Sequence, residues 1–262
     1  METQMSDLLL REDPKPGLVR LTLNRPEAFN SLSEAMLAAL SVQFKTLATD
    51  DSVKVVVLAG AGKAFCAGHD LKEMRAEPSQ DYYEKLFKQC SEVMLSIERL
   101  PQIVIAQVEG VATAAGCQLV AMCDLAVAGE SSKFAVSGIN LGLFCSTPSV
   151  ALSRNISRKR AMQMLVTGEF ISAAQALDWG LINEVVANDE VAQTTEALAD
   201  KILKKPTPAL RLGKRLFYEQ GQTDIAHAYE LAGQTMACNM MDETALEGVQ
   251  AFIDKRAPNW QK

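Results

Sequence analysis

The chain has only two histidines and six cysteines, and they form no familiar catalytic set. No Cys-x-x-Cys pair occurs. Several of the thiols lie inside apolar runs, where cysteine behaves as a small hydrophobe. Two imidazoles are too few for a His-rich zinc site, so neither a metal nor a disulfide framework is expected. The chemistry is better sought in the backbone. Residues 60–70 (GAGKAFCAGHD) and 103–124 (IVIAQVEGVATAAGCQLVAMCD) are rich in small side chains. In the second stretch, Ala112, Thr113, Ala114, Ala115 and Gly116 leave room for a ligand to approach the main chain. The amides at a helix start have no intrahelical acceptor and can hold negative charge, so a developing oxyanion suits this place. Two nucleotide motifs are excluded: Gly62-Lys63 is followed by Ala64 rather than a hydroxyl residue, and Gly60-Ala61-Gly62 lacks the third glycine of a dinucleotide fingerprint.

The positioning elements can be read from periodicity. Residues 18–23 alternate as a half-buried strand, and residues 53–59 (VKVVVLA) form a β-branched run expected of a buried strand. Between them, Ser31 and Glu34 make a capping box, followed by Met36, Leu40, Phe44 and Leu47 at helical spacing. Residues 81–100 carry an apolar stripe at a 3.6-residue period and stop at Pro101. Residues 103–124 read as strand, turn and buried helix, and LAVAG after Asp124 as another strand. The segment SGINLGLFCSTP, residues 137–148, reads as an irregular loop of the kind that carries function. After about residue 155 the strand signal fades and consecutive helices follow, starting near Lys159, Ala173, Asp189, Ala209, Asp224 and Glu243. An α/β core over residues 1–200 followed by a helical region over residues 201–262 is the expected division.

Hydrophobic residues make up 48% of the chain and charged residues 22%, with a formal net charge of −6. That balance describes a globular core and argues against nucleic-acid or anionic-membrane partners. The N-terminal segment METQMSDLLLREDPKPG lacks both the apolar core of a signal peptide and the Arg-rich, acid-poor character of a transit peptide, so a cytoplasmic location is expected.

Five segments in order, LTLNRPEAFNSL, GKAFCAGHDLKEM, VEGVATAAGCQLVAMCD, TGEFISAAQALDWGLINEVV and EGVQAFIDKRAPNW, resemble the crotonase superfamily, the enoyl-CoA hydratase/isomerase family. The resemblance implies a superhelical core of repeated ββα turns, a C-terminal helical region that makes a homotrimer or a dimer of trimers, and an acyl-CoA thioester as substrate with no permanently bound cofactor. It also implies that the backbone amides of His69 and Ala115 hold the thioester oxygen as it becomes an enolate. By the same matching, Arg25, Ala28, Ala67, Asp70, Leu71 and Lys72 flank the CoA path, and Phe252 and Lys255 contact CoA at a subunit boundary.

One departure alters the expected chemistry. A hydratase of this family uses two glutamates to position water and move its proton, and here those positions hold Gln118 and Gly138. An amide orients water but cannot take its proton, and each loss removes a factor of roughly 10² to 10⁴. Standard hydration is therefore expected to be poor. His69, Asn140, Cys145, Ser146 and Thr147 are the side chains left as alternative acids or bases. Cys145 also reads as a small apolar filler, and Asp70 as a loop brace. Three outcomes follow from the resemblance: enolate chemistry with another group, including a decarboxylation similar to that of methylmalonyl-CoA decarboxylase; residual hydratase or isomerase activity; or acyl-CoA binding without turnover. Tyr82, Tyr83, Phe87 and the 137–148 segment are expected to shape the acyl pocket.

Overall fold

Val55, Val56, Val57 and Leu58 are all sealed from solvent, which requires the strand that carries them to be covered on both faces. The computed structural model describes residues 7–260 and shows how this is achieved. Strands β1 (Leu9–Lys15), β2 (Leu18–Leu23), β3 (Val55–Gly60), β5 (Ile103–Val108), β7 (Leu125–Gly129) and β10 (Glu184–Val186) form one sheet in that order. The β1–β2 pair is antiparallel and every other pair in this sheet is parallel. A second sheet contains β4 (Ala64–Cys66), β6 (Val111–Thr113), β8 (Lys133–Ala135) and β9 (Ile171–Ser172), in that order. Each of β3, β5 and β7 is thus followed a few residues later by a short strand of the second sheet, the repeated unit of the superhelix.

The helices are α1 (Glu34–Ala48), α2 (Leu71–Ala76), α3 (Gln80–Arg99), α4 (Ala115–Met122), α5 (Ser146–Asn155), α6 (Arg158–Thr167), α7 (Ala173–Trp179) and α8 (Val191–Leu203). They are followed by α9 (Thr207–Gln220), α10 (Ile225–Met240) and α11 (Glu243–Ile253). One face of the large sheet, with Val19, Leu21, Leu23, Val56 and Leu58, packs into the main core. The opposite face, with Leu18, Val55, Val57 and Ile105, is covered by Ala199 and its neighbours on α8.

Helix α9 is fastened from below by a buried cation. Lys214 Nζ donates to the carbonyls of Ile97 (2.9 Å) and Gln102 (2.8 Å) and to Asp124 Oδ2 (2.6 Å). Tyr218 donates to the other Asp124 oxygen at 2.7 Å, and the Val104 amide donates to Oδ2 at 2.7 Å. Burying the ammonium lowers the pKa of Lys214 below its ordinary value, while Asp124 acts in the other direction. The helices beyond are bare by comparison: Ile225, Tyr229, Met236, Met241, Phe252 and Ile253 are all exposed large apolar residues.

Several expectations from periodicity are corrected. Helix α1 is capped by Ser33, which accepts the Met36 amide at 3.1 Å, because Ser31 is already engaged by Arg25. The expected Ser31–Glu34 box is therefore not formed. The strand signal does not end near residue 155, since β9 and β10 follow. At two and three residues they are too short for a period of two to show. Strands β1, β4 and β6 also lay outside the sequence reading. The 137–148 segment is more regular than the expected loop: a 3-10 turn over Ser137–Leu141 leads through a short bend into α5.

Candidate functional site

The two small-residue stretches meet face to face. β4 pairs with β6, setting Cys66 beside Ala112, and the chain then leaves each strand towards the other. Gly68, at φ +92°, is pressed so closely that a Cβ there would stand 2.9 Å from the Ala114 Cβ and 3.2 Å from the Ala115 nitrogen. Gly116 backs onto the Cys66 carbonyl, where a Cβ would approach within 2.1 Å. Only glycine fits at either position. Ala114 turns the corner into α4 at φ 51° and ψ −120°, a backbone state that costs a non-glycine residue about 1–3 kcal/mol and is typical of functional sites.

As a result, the backbone amides of His69 and Ala115 are left unspent. Among the described residues neither donates to a protein acceptor, and both residues line one cavity of about 300 Å³. The rest of its wall is largely apolar, with Leu71, Met74, Phe87, Leu141, Leu143 and Phe144. The His69 ring packs edge-on to Phe87, with centroids 5.4 Å apart, and Tyr83 stacks on Phe87 from behind. Both ring nitrogens of His69 are buried without a well-formed hydrogen-bond partner. Burial lowers the imidazole pKa to about 4, against a weaker opposing effect of the Leu32 backbone, so the ring is neutral at physiological pH.

Gly138 and Cys145 line the same cavity and are coupled. The Gly138 amide donates to Cys145 Sγ at 3.3 Å, and a Cβ on Gly138 would lie 2.7 Å from that sulfur and 2.6 Å from the Leu143 carbonyl oxygen. The space where a residue-138 side chain would begin is already filled by the thiol and a carbonyl. Burial raises the Cys145 pKa and the Gly138 contact only partly offsets it, so this thiol is packing and not an activated nucleophile.

Gln118 departs from expectation. It is 4% exposed, its Oε1 is buried with no partner, and it opens onto a neighbouring cavity rather than the one holding His69 and Ala115. The two cavities share Thr147 as a common wall. Ser146 lines the first cavity but is exposed, with its hydroxyl directed at the Phe144 carbonyl (3.3 Å). Asn140 is excluded from that lining: its amide donates to the Gly168 carbonyl at 3.3 Å, which anchors the 3-10 turn.

Of the residues expected along a CoA path, Ala67 and Leu71 line the cavity. Asp70 does not, because its carboxylate accepts the Lys72 and Glu73 amides that start α2 and pairs with Arg25 Nη2 at 3.0 Å. Burial acts to raise the Asp70 pKa, but the hydrogen bond from Arg25 and the two amides prevail and hold it low. Arg25 is equally committed, to Ser31 and Asp70. These two charges brace the loop carrying His69, and the Lys72 amide serves the same cap. Ala28 ends the short 3-10 turn after Arg25. Phe252, 85% exposed, and Lys255, at φ 55°, lie at the end of α11, outside the cavity's wall. The strained Ala114 corner and the Gly138–Cys145 contact had no signal in periodicity or composition.

Residues 13–262 match the family described as "Enoyl-CoA hydratase/isomerase". The chain is 45% identical over 244 residues to the rat protein named "Enoyl-CoA hydratase domain-containing protein 3, mitochondrial", covering 93% of this chain and 81% of that one. Among solved structures, the fold matches an enoyl-CoA hydratase of Mycobacterium smegmatis with a TM-score of 0.96 and 65% identity over 97% of this chain and 99% of that one. It matches human enoyl Coenzyme A hydratase domain-containing protein 3 with a TM-score of 0.93 and 44% identity over 97% and 100%. The expectation of a cytoplasmic location is overturned here, because the rat and mouse relatives are named as mitochondrial proteins. A parallel ββα core, two facing glycine-rich turns with unspent amides and these likenesses agree: the chain belongs to the enoyl-CoA hydratase/isomerase family of acyl-CoA-processing enzymes.

Proposed function

We propose that this protein acts on acyl-CoA thioesters by stabilising an enolate between the amides of His69 and Ala115, without the two-glutamate machinery of hydration. The observation that carries this reading is the pair of unspent amides facing one largely apolar cavity. Preorganised donors in a water-poor site stabilise charge as it develops, and removing one such donor typically costs about 10²–10³ in rate. No Asp or Glu lines the cavity among the described residues. The one imidazole there is held neutral, and its low pKa makes it a weak base.

A reaction that reaches the enolate without removing a proton suits such a wall best. Loss of carbon dioxide from a 2-carboxyacyl thioester is one: the electrons of the C–C bond that breaks pass into the thioester carbonyl, the oxyanion is held by the two amides, and the α-carbon then takes up a proton from solvent water as the carbonyl re-forms. Decarboxylation is therefore the second reading, and the absence of a lining carboxylate favours it over hydration. Incubating the protein with crotonyl-CoA, 3-enoyl-CoA and 2-carboxyacyl-CoA thioesters and following products by mass spectrometry tests both. Fast hydration of crotonyl-CoA by the unaltered protein would overturn the argument from the missing glutamates. Tight CoA binding with no turnover of any class would instead make it an acyl-CoA-binding protein.

The exposed apolar surface of α10 and α11 supports a homotrimer, or a dimer of trimers, in which this surface is covered by a second copy. Sedimentation equilibrium tests it. A monomer at micromolar concentration would remove the reading.

A further inference from the structure

The cavity beside the oxyanion site has the features of a built polar subsite. It measures about 500 Å³, lies across Thr147 from the His69–Ala115 cavity and is bordered by α3, α4 and α5. Its inner wall carries Gln118, which projects from α4 one turn beyond Ala115, about 4.5 Å along the axis at 1.5 Å per residue. Gln118 is almost completely buried, and its Oε1, sealed within the wall, has no hydrogen-bond partner among the described residues. A buried amide oxygen left unpaired costs about 1–3 kcal/mol, and a half-turn of the amide exchanges it with the NH2 end, so a ligand hydroxyl in the cavity that pairs with the oxygen relieves that cost. The remaining wall combines Met94, Leu95 and Met122 with Glu98 and Arg154.

The two charges oppose each other in sign, and each has a polar contact of its own. Glu98 Oε1 accepts Gln222 Nε2 at 3.4 Å, and Arg154 Nη1 donates to the Val150 carbonyl at 3.0 Å. A carboxylate entering this space would meet Glu98 as well as Arg154, so the attraction of one charge is offset by the repulsion of the other. A neutral hydroxyl has no such penalty and both donates and accepts, matching the two ends of a primary amide.

We infer that this second cavity receives the distal part of the acyl group and that Gln118 selects chains bearing a hydroxyl there. The inference rests on the acyl-CoA reading above. It makes Gln118 a specificity-determining residue, a role distinct from that of the carboxylate it replaces.

The test is the affinity of the full-length protein for hexanoyl- and octanoyl-CoA and for their ω-hydroxy and ω-carboxy counterparts, with acetyl-CoA as the short reference. At one of the two lengths the hydroxylated chain is expected to bind about 3- to 10-fold more tightly than the plain one, the value of one net hydrogen bond. Gln118→Leu is expected to erase that advantage while keeping the affinity for the plain chain. Leu95→Trp, which fills the cavity from α3, is expected to weaken both long chains about 10-fold or more and leave acetyl-CoA unchanged. Equal affinity for hydroxylated and plain chains in the unaltered protein, as when a water occupies Gln118, would overturn the inference. So would a preference for the ω-carboxy chain, which would assign the cavity to Arg154. In either case acetyl-CoA binding would leave the broader acyl-CoA reading standing, whereas failure of every thioester to bind would remove both.

Discussion

The sulfur of Cys145 lies 3.3 Å from the backbone nitrogen of Gly138 and occupies the place where a side chain on residue 138 would begin. Glycine at this position, where the family resemblance leads one to expect a glutamate, is therefore matched by the packing around it. Gly138→Ala is expected to destabilise the fold by about 1–3 kcal/mol, the usual cost of overpacking a filled site, with part of it recovered by adding Cys145→Ala. Thermal denaturation of the single and double variants measures this. Gln118→Glu combined with Gly138→Glu is expected to gain no crotonyl-CoA hydration, because the second carboxylate has no room. A fully folded, active hydratase from that pair would sink the packing argument.

Gly68 separates the two candidate oxyanion donors. Gly68→Ala forces a Cβ against Ala114 and against the Ala115 nitrogen at a φ that disfavours any other residue. Turnover of whichever thioester the protein processes is expected to fall about 10²–10³-fold, as when one oxyanion donor is misplaced. The far-ultraviolet circular dichroism should be retained. A rise in KM with kcat unchanged would argue that the amides bind ground state and transition state equally.

His69 adds an acid limb to stability. Its folded pKa, about 4, lies below the ordinary value of 6.5 because burial disfavours the charged ring. Between these values the unfolded chain binds more protons, so stability falls as pH drops from about 6.5 to about 4 and this contribution is flat below that. The full span is roughly 3 kcal/mol. Urea denaturation from pH 4 to 7 should show a shallower acid decline for His69→Phe than for the unaltered chain, and parallel curves would refute the assignment.

Removing the buried ammonium of Lys214 leaves Asp124 with Tyr218 and the Val104 amide alone. Lys214→Met is expected to cost about 3–5 kcal/mol, the penalty for stranding a buried charge. The shift of the denaturant midpoint measures it. A double variant with Asp124→Asn should lose less than the sum of the single changes, since the two residues are in direct contact.

These residues also show how far the sequence could be read. β2 and the long helix α3 were legible because one face is apolar and the other is not, and the family motifs located the two amides. The capping box was misplaced because Ser31 and Ser33 are equally good caps in isolation, and a long-range contact with Arg25 decides between them. Gln118 was located in sequence, yet which cavity it opens onto depends on how α4 rotates against α3 and α5. The sequence allowed Asp70 as either a CoA contact or a loop brace, and its pairing with Arg25 across 45 residues of chain, which no local pattern reveals, supplies the brace.

Helix α4 is only eight residues long, about 12 Å by its rise per residue, and both of its ends are fixed. Its first amide is the candidate oxyanion donor at Ala115. Two residues past its last turn is Asp124, gripped by Lys214 and Tyr218 of α9. The same short helix thus joins the candidate oxyanion amide at its start to the buried ion pair that fastens α9 just past its end.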